Sequence, residues 1–162
     1  MLSSAVQDAM NQQVNAELYS AYLYLSMAAN FEGENLRGMA HWMQVQAKEE
    51  VSHALKFFKH IAERGGRVTL TAIAAPLTKW DSPRAVFEQV YEHECHVSSL
   101  INKLVELAGA EKDHASGVFL QWFVNEQVEE EANATEIVQH LKMVGDSKQG
   151  LFMLDRHLAQ RQ

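Results

Sequence analysis

The stretch QAKEEVSHALKFF, residues 46–58, has the spacing of a core helix but carries charge where apolar side chains belong. On a helical wheel at about 100° per residue, Met39, Met43, Ala54, Phe57 and Ile61 fall within roughly 40° of Glu50. An ionisable carboxylate therefore sits at the centre of an apolar stripe, with His53 one turn further on. Burial of such a group is costly unless something pairs with it. The stretch asks for partners elsewhere in the chain.

The same anomaly recurs in three other segments. Glu17 lies on a face made by Val6, Met10, Val14, Ala21, Tyr24, Ala28 and Phe31. Glu94 shares its face with Phe87, Val90, Ile101 and Val105, and Glu130 with Phe119, Phe123, Ala134, Ile137 and Leu141, flanked by Glu126 and Gln127. Capping residues and glycines divide these segments into helices. The first starts after Ser3 or Ser4 and ends before Gly33, and the second runs from about Leu36 to Arg64, stopped by Gly65-Gly66. The third starts at Ser82-Pro83 and ends near Gly109, the fourth spans about Asp113 to Gly145, and a short fifth follows Asp146-Ser147.

No alternating pattern competes, so the class is all-α. Short connections around Gly33 to Asn35 and Gly109 to Lys112 make antiparallel neighbours. The link GGRVTLTAIAAPLTKWD (65–81) is long enough to run the length of the bundle, and Val68, Leu70, Ile73, Leu77 and Trp80 predict a strap packed on it. The result is a four-helix bundle with one long crossover, one of the connectivities known for ferritin-like folds, and a short fifth C-terminal helix. One domain is expected over 1–162, with the bundle at about 4–145 and the fifth helix at about 147–160. Leu151, Leu154 and Leu158 form an apolar stripe on that helix, read as a surface for symmetry mates.

Each central Glu lies near the middle of its helix, and midpoints of antiparallel helices meet at one level. Glu17, Glu50, His53, Glu94 and Glu130 should thus converge in an apolar core. Unpaired, such carboxylates would protonate or open the fold. Lys48, Lys56 and Lys103 lie off the core stripe, which leaves metal cations as the neutralising partner. Glu-x-x-His with single glutamates from other helices is the pattern of di-iron carboxylate sites, and oxygen-rich ligands with one imidazole suit iron or manganese, with zinc able to compete. On the wheel alone, Tyr24 reads equally as a core aromatic, and Glu49 and Glu129 sit at the stripe's edge. Glu131 and most of the histidines (His41, His60, His93, His96, His114, His140 and His157) read as surface or structural groups, Trp122 as packing, and Cys95 as inert.

Composition narrows the function classes. A hydrophobic fraction of 47% marks a globular chain, and the net charge of −7 argues against nucleic acid as a partner. The single cysteine allows no intramolecular disulfide. The start MLSSAVQDAM lacks the pattern of a signal peptide, and no apolar run reaches the ~20 residues of a membrane span. A cytoplasmic setting without membrane contact is expected.

The segments NAELYSAYLYLSM (15–27), QAKEEVSHA (46–54), YEHE (91–94) and FVNEQVEEE (123–131) closely resemble the haem-free bacterial ferritins, and the resemblance covers essentially the whole chain. It implies one iron held by Glu17, Glu50 and His53, and a second by Glu94, Glu130 and the bridging Glu50. It further implies a third iron site at Glu49, Glu126, Glu129 and Glu130, with Tyr24 and Gln127 beside the pair. Val51 stands where bacterioferritins carry their haem-ligating methionine, so no haem is expected. The acidic pair of animal ferritin entry channels falls at Gly117 and Leu120 here, which puts that entry route in question.

The implied activity is that of a ferroxidase: Fe(II) is oxidised with O2 or H2O2 and stored as a ferric oxyhydroxide inside a 24-subunit homo-oligomeric shell. Two other readings stay open at this level. One is a di-iron oxygenase or peroxidase acting on an organic substrate, and the other a shell subunit with no oxidising centre.

Overall fold

The computed structural model describes residues 2–162, and its order is α1 (Ser4–Gly33), α2 (Arg37–Glu63), α3 (Pro83–Ala110), α4 (His114–Val144) and α5 (Lys148–Leu158). The helix ends follow the capping residues. Ser3, Ser82, Asp113 and Ser147 each accept a bond from a backbone N–H in the first turn of α1, α3, α4 and α5. Glycine is not what reverses the chain in the two short connections: Asn35 and Lys112 take the positive φ, at 60° and 54°.

Side-chain pairs fix the topology. Phe31 stacks on Phe87 and Tyr24 bonds Glu94, so α1 and α3 run antiparallel. His53 faces Glu126, Phe57 meets Phe123 and Phe119, and Arg64 pairs with Asp113, so α2 and α4 are antiparallel too. The core has two apolar clusters. One, around Tyr24, Met27, Phe31, Met43 and Phe87, lies toward the α1–α2 turn, and the other, around Met10, Phe57, Ile61, Leu104 and Phe123, lies toward the opposite end. The buried polar residues lie between them.

The crossover does run along the bundle, but it is held by polar bonds rather than by its apolar side chains. Gln7, Asn11 and Asn15, one turn apart on α1, bond the backbone at Arg67, Thr69, Thr71 and Ala72, and Ser26 Oγ donates to the Leu77 carbonyl at 2.5 Å. Val68 packs partly on the core, and Trp80 does so while donating its indole N–H to Gln89. Leu70 and Leu77 point outward, 65% and 59% exposed in the single subunit. Ile73 between them is exposed as well, so only the two ends of the strap supply the expected apolar packing on this bundle.

The fifth helix differs more clearly. Leu154 and Leu158 are buried, with Leu151 packed beside them, against this subunit's own α1–α2 end. Its outward face instead presents Phe152 and Met153. Gly38 explains the close seat: a Cβ there would stand 1.7 Å from the Asp155 carbonyl oxygen. Asp155 Oδ1 accepts the Met39 N–H at 2.8 Å, supplying the cap that Leu36 cannot give to α2. The leucine stripe is therefore intramolecular.

Candidate metal centre

Glu17, Glu50, His53, Glu94 and Glu130 are all buried, with 1%, 2%, 3%, 2% and 5% exposure, in the layer between the two apolar clusters. Donor atoms of Glu17, Glu50 and His53 lie within 4.8 Å of one another, as do those of His53, Glu126 and Glu130. Glu50 Oε2 is 3.2 Å from His53 Nδ1, while His53 Nε2 looks toward Glu126 Oε1 at 3.6 Å. Edge-on rings of Trp122 and Phe123 hold the imidazole plane. Trp122 is thus a wall of the site and in turn carries the Lys56 ammonium over its face at 3.9 Å.

Amides organise the carboxylates. Gln13 Nε2 donates to Glu17 Oε1 at 2.8 Å, and Gln46 Nε2 donates to both Glu50 Oε1 and Glu130 Oε2 at 3.0 Å. Each glutamine stands one turn before the glutamate it serves on its own helix, a spacing visible in the sequence but not singled out there. Glu94 is clamped from two sides: Tyr24 donates its hydroxyl to Oε1, and Gln127 Nε2 donates to Oε2 at 3.1 Å. Tyr24 is fully buried and reaches the carboxylate layer with its polar end, which a plain core aromatic would not do.

Behind Gln127 lies a brace that sequence reasoning missed. Ser98 Oγ donates to Glu131 Oε1 at 2.5 Å, so its lone pairs face the Gln127 Nε2 at 3.3 Å. This fixes the amide with its N–H side toward Glu94. Gln127 and Glu131 also line a groove of about 700 Å³ between α3 and α4. Glu131, read from sequence as a solvated residue, is half-buried and belongs to this brace. His93, read as surface or structural, is structural. Ser20 donates its hydrogen to the Ala16 carbonyl, so His93 Nε2 donates to Ser20 Oγ at 2.7 Å, between the rings of Tyr19 and Tyr24.

Electrostatics show what the site lacks. Burial first, and then the Glu50 charge, push Glu17 well above the ordinary carboxyl range against the opposing Gln13 bond. Burial and neighbouring carboxylates raise Glu94 and Glu130 to about 8, although Tyr24, Gln127 and Gln46 bonds pull the other way. His53 is lowered by burial, but the Glu50 bond and the surrounding carboxylates outweigh this and leave it raised. Burial lowers His93 to about 4, so it is neutral. Among the described residues, no Lys or Arg pairs with Glu17, Glu50, Glu94 or Glu130. Glu17 Oε2 is buried without a donor. Carboxyls this close either share protons or bind cations, and the donor set fits a hard or borderline divalent ion.

Of the residues expected at a third position, Glu126 and Glu130 meet beside His53, whereas Glu49 and Glu129 are not part of that group. Glu129 is exposed, and Glu49 is held by Arg161.

Helices crossing at a buried carboxylate–histidine layer define the class: a metal-handling four-helix bundle. The Ferritin-like domain family matches residues 7–144, and the chain belongs to that family. It is 48% identical over 161 residues to the bacterial non-heme ferritin of Bacteroides fragilis, covering 99% of this chain and 100% of that protein. A probable bacterial non-heme ferritin-like protein of Haemophilus influenzae is 40% identical over 158 residues, covering 98% of this chain and 96% of its own. The open pore ferritin of the archaeon Archaeoglobus fulgidus superimposes with a TM-score of 0.99 at 52% identity, each chain covering 100% of the other.

Proposed function

We propose that this protein stores iron and is a ferroxidase, oxidising Fe(II) to Fe(III) at the buried centre. The reading rests on Glu17, Glu50 and His53, which present ligand atoms within 4.8 Å of one another in a core where, among the described residues, no Lys or Arg pairs with them. Fe(II) is the substrate. Glu17, Glu50 and His53 hold one ion, and Glu94, Glu130 and the bridging Glu50 hold the other. Anionic oxygen ligands favour Fe(III) over Fe(II), which lowers the potential of the pair. Two ions held by one bridging carboxylate deliver two electrons together. With O2 as oxidant, two electrons and two protons give H2O2, and H2O2 itself accepts two further electrons and two protons to give two waters.

Tyr24 and Gln127 act by orienting Glu94. Glu49, Glu126, Glu129 and Glu130 form a third iron position through which Fe(III) leaves the pair to mineralise as a ferric oxyhydroxide. Carboxylates release a product ion more readily than thiolates. Residues 1–162 act as one domain, and a 24-subunit homo-oligomeric shell encloses the mineral. No helix among the described residues is long and apolar enough to cross a membrane, and a cytoplasmic setting fits this reading, as does the absence of any haem requirement with Val51 in place of a methionine. Aerobic Fe(II) loading followed by sedimentation tests the function: iron should co-sediment as Fe(III) with a shell-sized particle. Oxidation that leaves iron outside the particle, or a protein that stays a single bundle, would overturn it.

A further inference from the structure

Glu49 was expected at the third metal position, yet its carboxylate already has a cation. Arg161 Nη2 donates to Glu49 Oε2 at 2.5 Å. The guanidinium also lies 4.2 Å over the Trp42 ring, and Arg161 Nη1 approaches the Trp42 carbonyl at 3.4 Å. The Arg161 carbonyl meets His41 Nε2 at 2.8 Å. Trp42 and Glu49 are two turns apart on one face of α2, so the arginine lies along that helix. Its placement follows from the seat of α5: Asp155 caps α2, Leu158 is buried, and the turn at 159–161 bonds back onto Asp155, His157 and Leu158.

We propose that Arg161 is a tethered counter-cation of Glu49, and that a metal ion reaching the third position must displace it. The proposal rests on the reading that Glu49 contributes to that position. A guanidinium keeps its charge at every working pH, so it leaves only by moving and not by losing a proton. The ion that recruits Glu49 therefore competes with a built-in rival, while the Glu17–Glu50–His53 group, which Arg161 does not touch, fills without having to displace a side-chain guanidinium. This orders the sites: the pair loads first, and Glu49 is engaged only when metal accumulates beyond it. Release of the guanidinium also loosens residues 159–161, so occupancy of the third position is transmitted to the C-terminal turn.

The competition is modest, because the pair is partly solvated: Glu49 and Arg161 side chains are 41% and 18% exposed. Such pairs correspond to roughly two- to fivefold in an equilibrium constant. The test is calorimetric titration of the metal-free full-length assembly with Zn(II), which binds such donors without redox chemistry. Arg161→Gln should tighten the weakest Zn(II) step roughly two- to fivefold and leave the tighter steps unchanged. Arg161→Met, which keeps an apolar stem over Trp42, should do the same. Glu49→Gln should abolish that step, and Glu49→Gln with Arg161→Gln should match Glu49→Gln alone. Amide hydrogen exchange at residues 159–161 should accelerate in the wild type as the weakest step fills. A weakest step unchanged in both Arg161 variants but lost in Glu49→Gln overturns the role of Arg161 and leaves the Glu49 reading standing. A step that survives Glu49→Gln overturns both.

Discussion

Gln46 Nε2 lies 3.0 Å from Glu50 Oε1 and 3.0 Å from Glu130 Oε2, joining its own helix to a carboxylate 84 positions further along the chain. One neutral amide thus gives both its hydrogens to groups that repel each other. Gln46→Leu should remove both bonds and lower the stability of the metal-free protein by about 1–3 kcal/mol, the cost of leaving buried acceptors unpartnered. Zn(II) should recover most of the loss, because the cation takes over the neutralising role. Denaturant melts with and without Zn(II) measure both effects, and an equal loss in the two conditions would show that Gln46 acts through packing alone.

The raised carboxyls set a pH dependence. Glu94 and Glu130 titrate at about 8 in the folded protein, against 4.5 for an ordinary carboxyl. Between these values the folded state holds protons that the unfolded chain releases, so these groups make stability fall as pH rises toward 8. His53, also raised, acts in the same direction above its ordinary 6.5. His93, lowered to about 4, acts oppositely, but only between about 4 and 6.5. The metal-free protein should therefore lose stability from pH 6.5 to 8, and Glu94→Gln with Glu130→Gln should flatten that decline. Zn(II) affinity should climb over the same window, since the ion displaces these protons. A double variant whose melting temperature declines as steeply as the wild type would contradict the assigned protonation.

Gly38 should tolerate no side chain. Gly38→Ala puts a Cβ 1.7 Å from the Asp155 carbonyl oxygen, which is backbone and can yield only if α5 shifts. A loss of about 1–3 kcal/mol is expected. Asp155→Asn, which removes the charged cap from Met39 without a clash, should cost less. Thermal melts rank the two, and a neutral Gly38→Ala would mean that α5 is not seated as described.

Ser98 should matter through Gln127. Ser98→Ala removes the hydroxyl that turns the Gln127 amide toward Glu94, so the amide can flip and present its oxygen to a carboxylate. The expected result is weaker binding of Co(II) at the Glu94–Glu130 position with an altered visible spectrum. Roughly tenfold is the scale for such supporting residues. Ser98→Thr, which keeps the hydroxyl, should restore both.

Much of this was legible in the chain. Each apolar stripe with a glutamate at its centre was visible because α-helical periodicity is local, and the caps Ser3, Ser82, Asp113 and Ser147 marked the ends to within a residue or two. Gln13 and Gln46 were equally readable, as polar residues on the same core stripe one turn before Glu17 and Glu50. What stayed hidden depends on contacts distant in sequence. The wheel cannot show Arg161 reaching Glu49 across 112 positions, or Ser98 meeting Glu131 across 33. The leucine stripe of α5 shows that a surface will be covered, but not whether the same subunit covers it. Gly38, whose small size admits Asp155, carries that answer only once the helices are docked.

The most direct measurement is rapid mixing of metal-free protein with aerobic Fe(II), in amounts that fill one pair per subunit, while absorbance and oxygen uptake are recorded. The wild type should show a fast oxidation phase. Glu17→Ala, Glu50→Ala, His53→Ala and Glu94→Ala should each slow it by at least about tenfold, with the assembly intact by sedimentation. Wild-type rates in all four variants would contradict the assignment of the buried carboxylate layer as the oxidising centre.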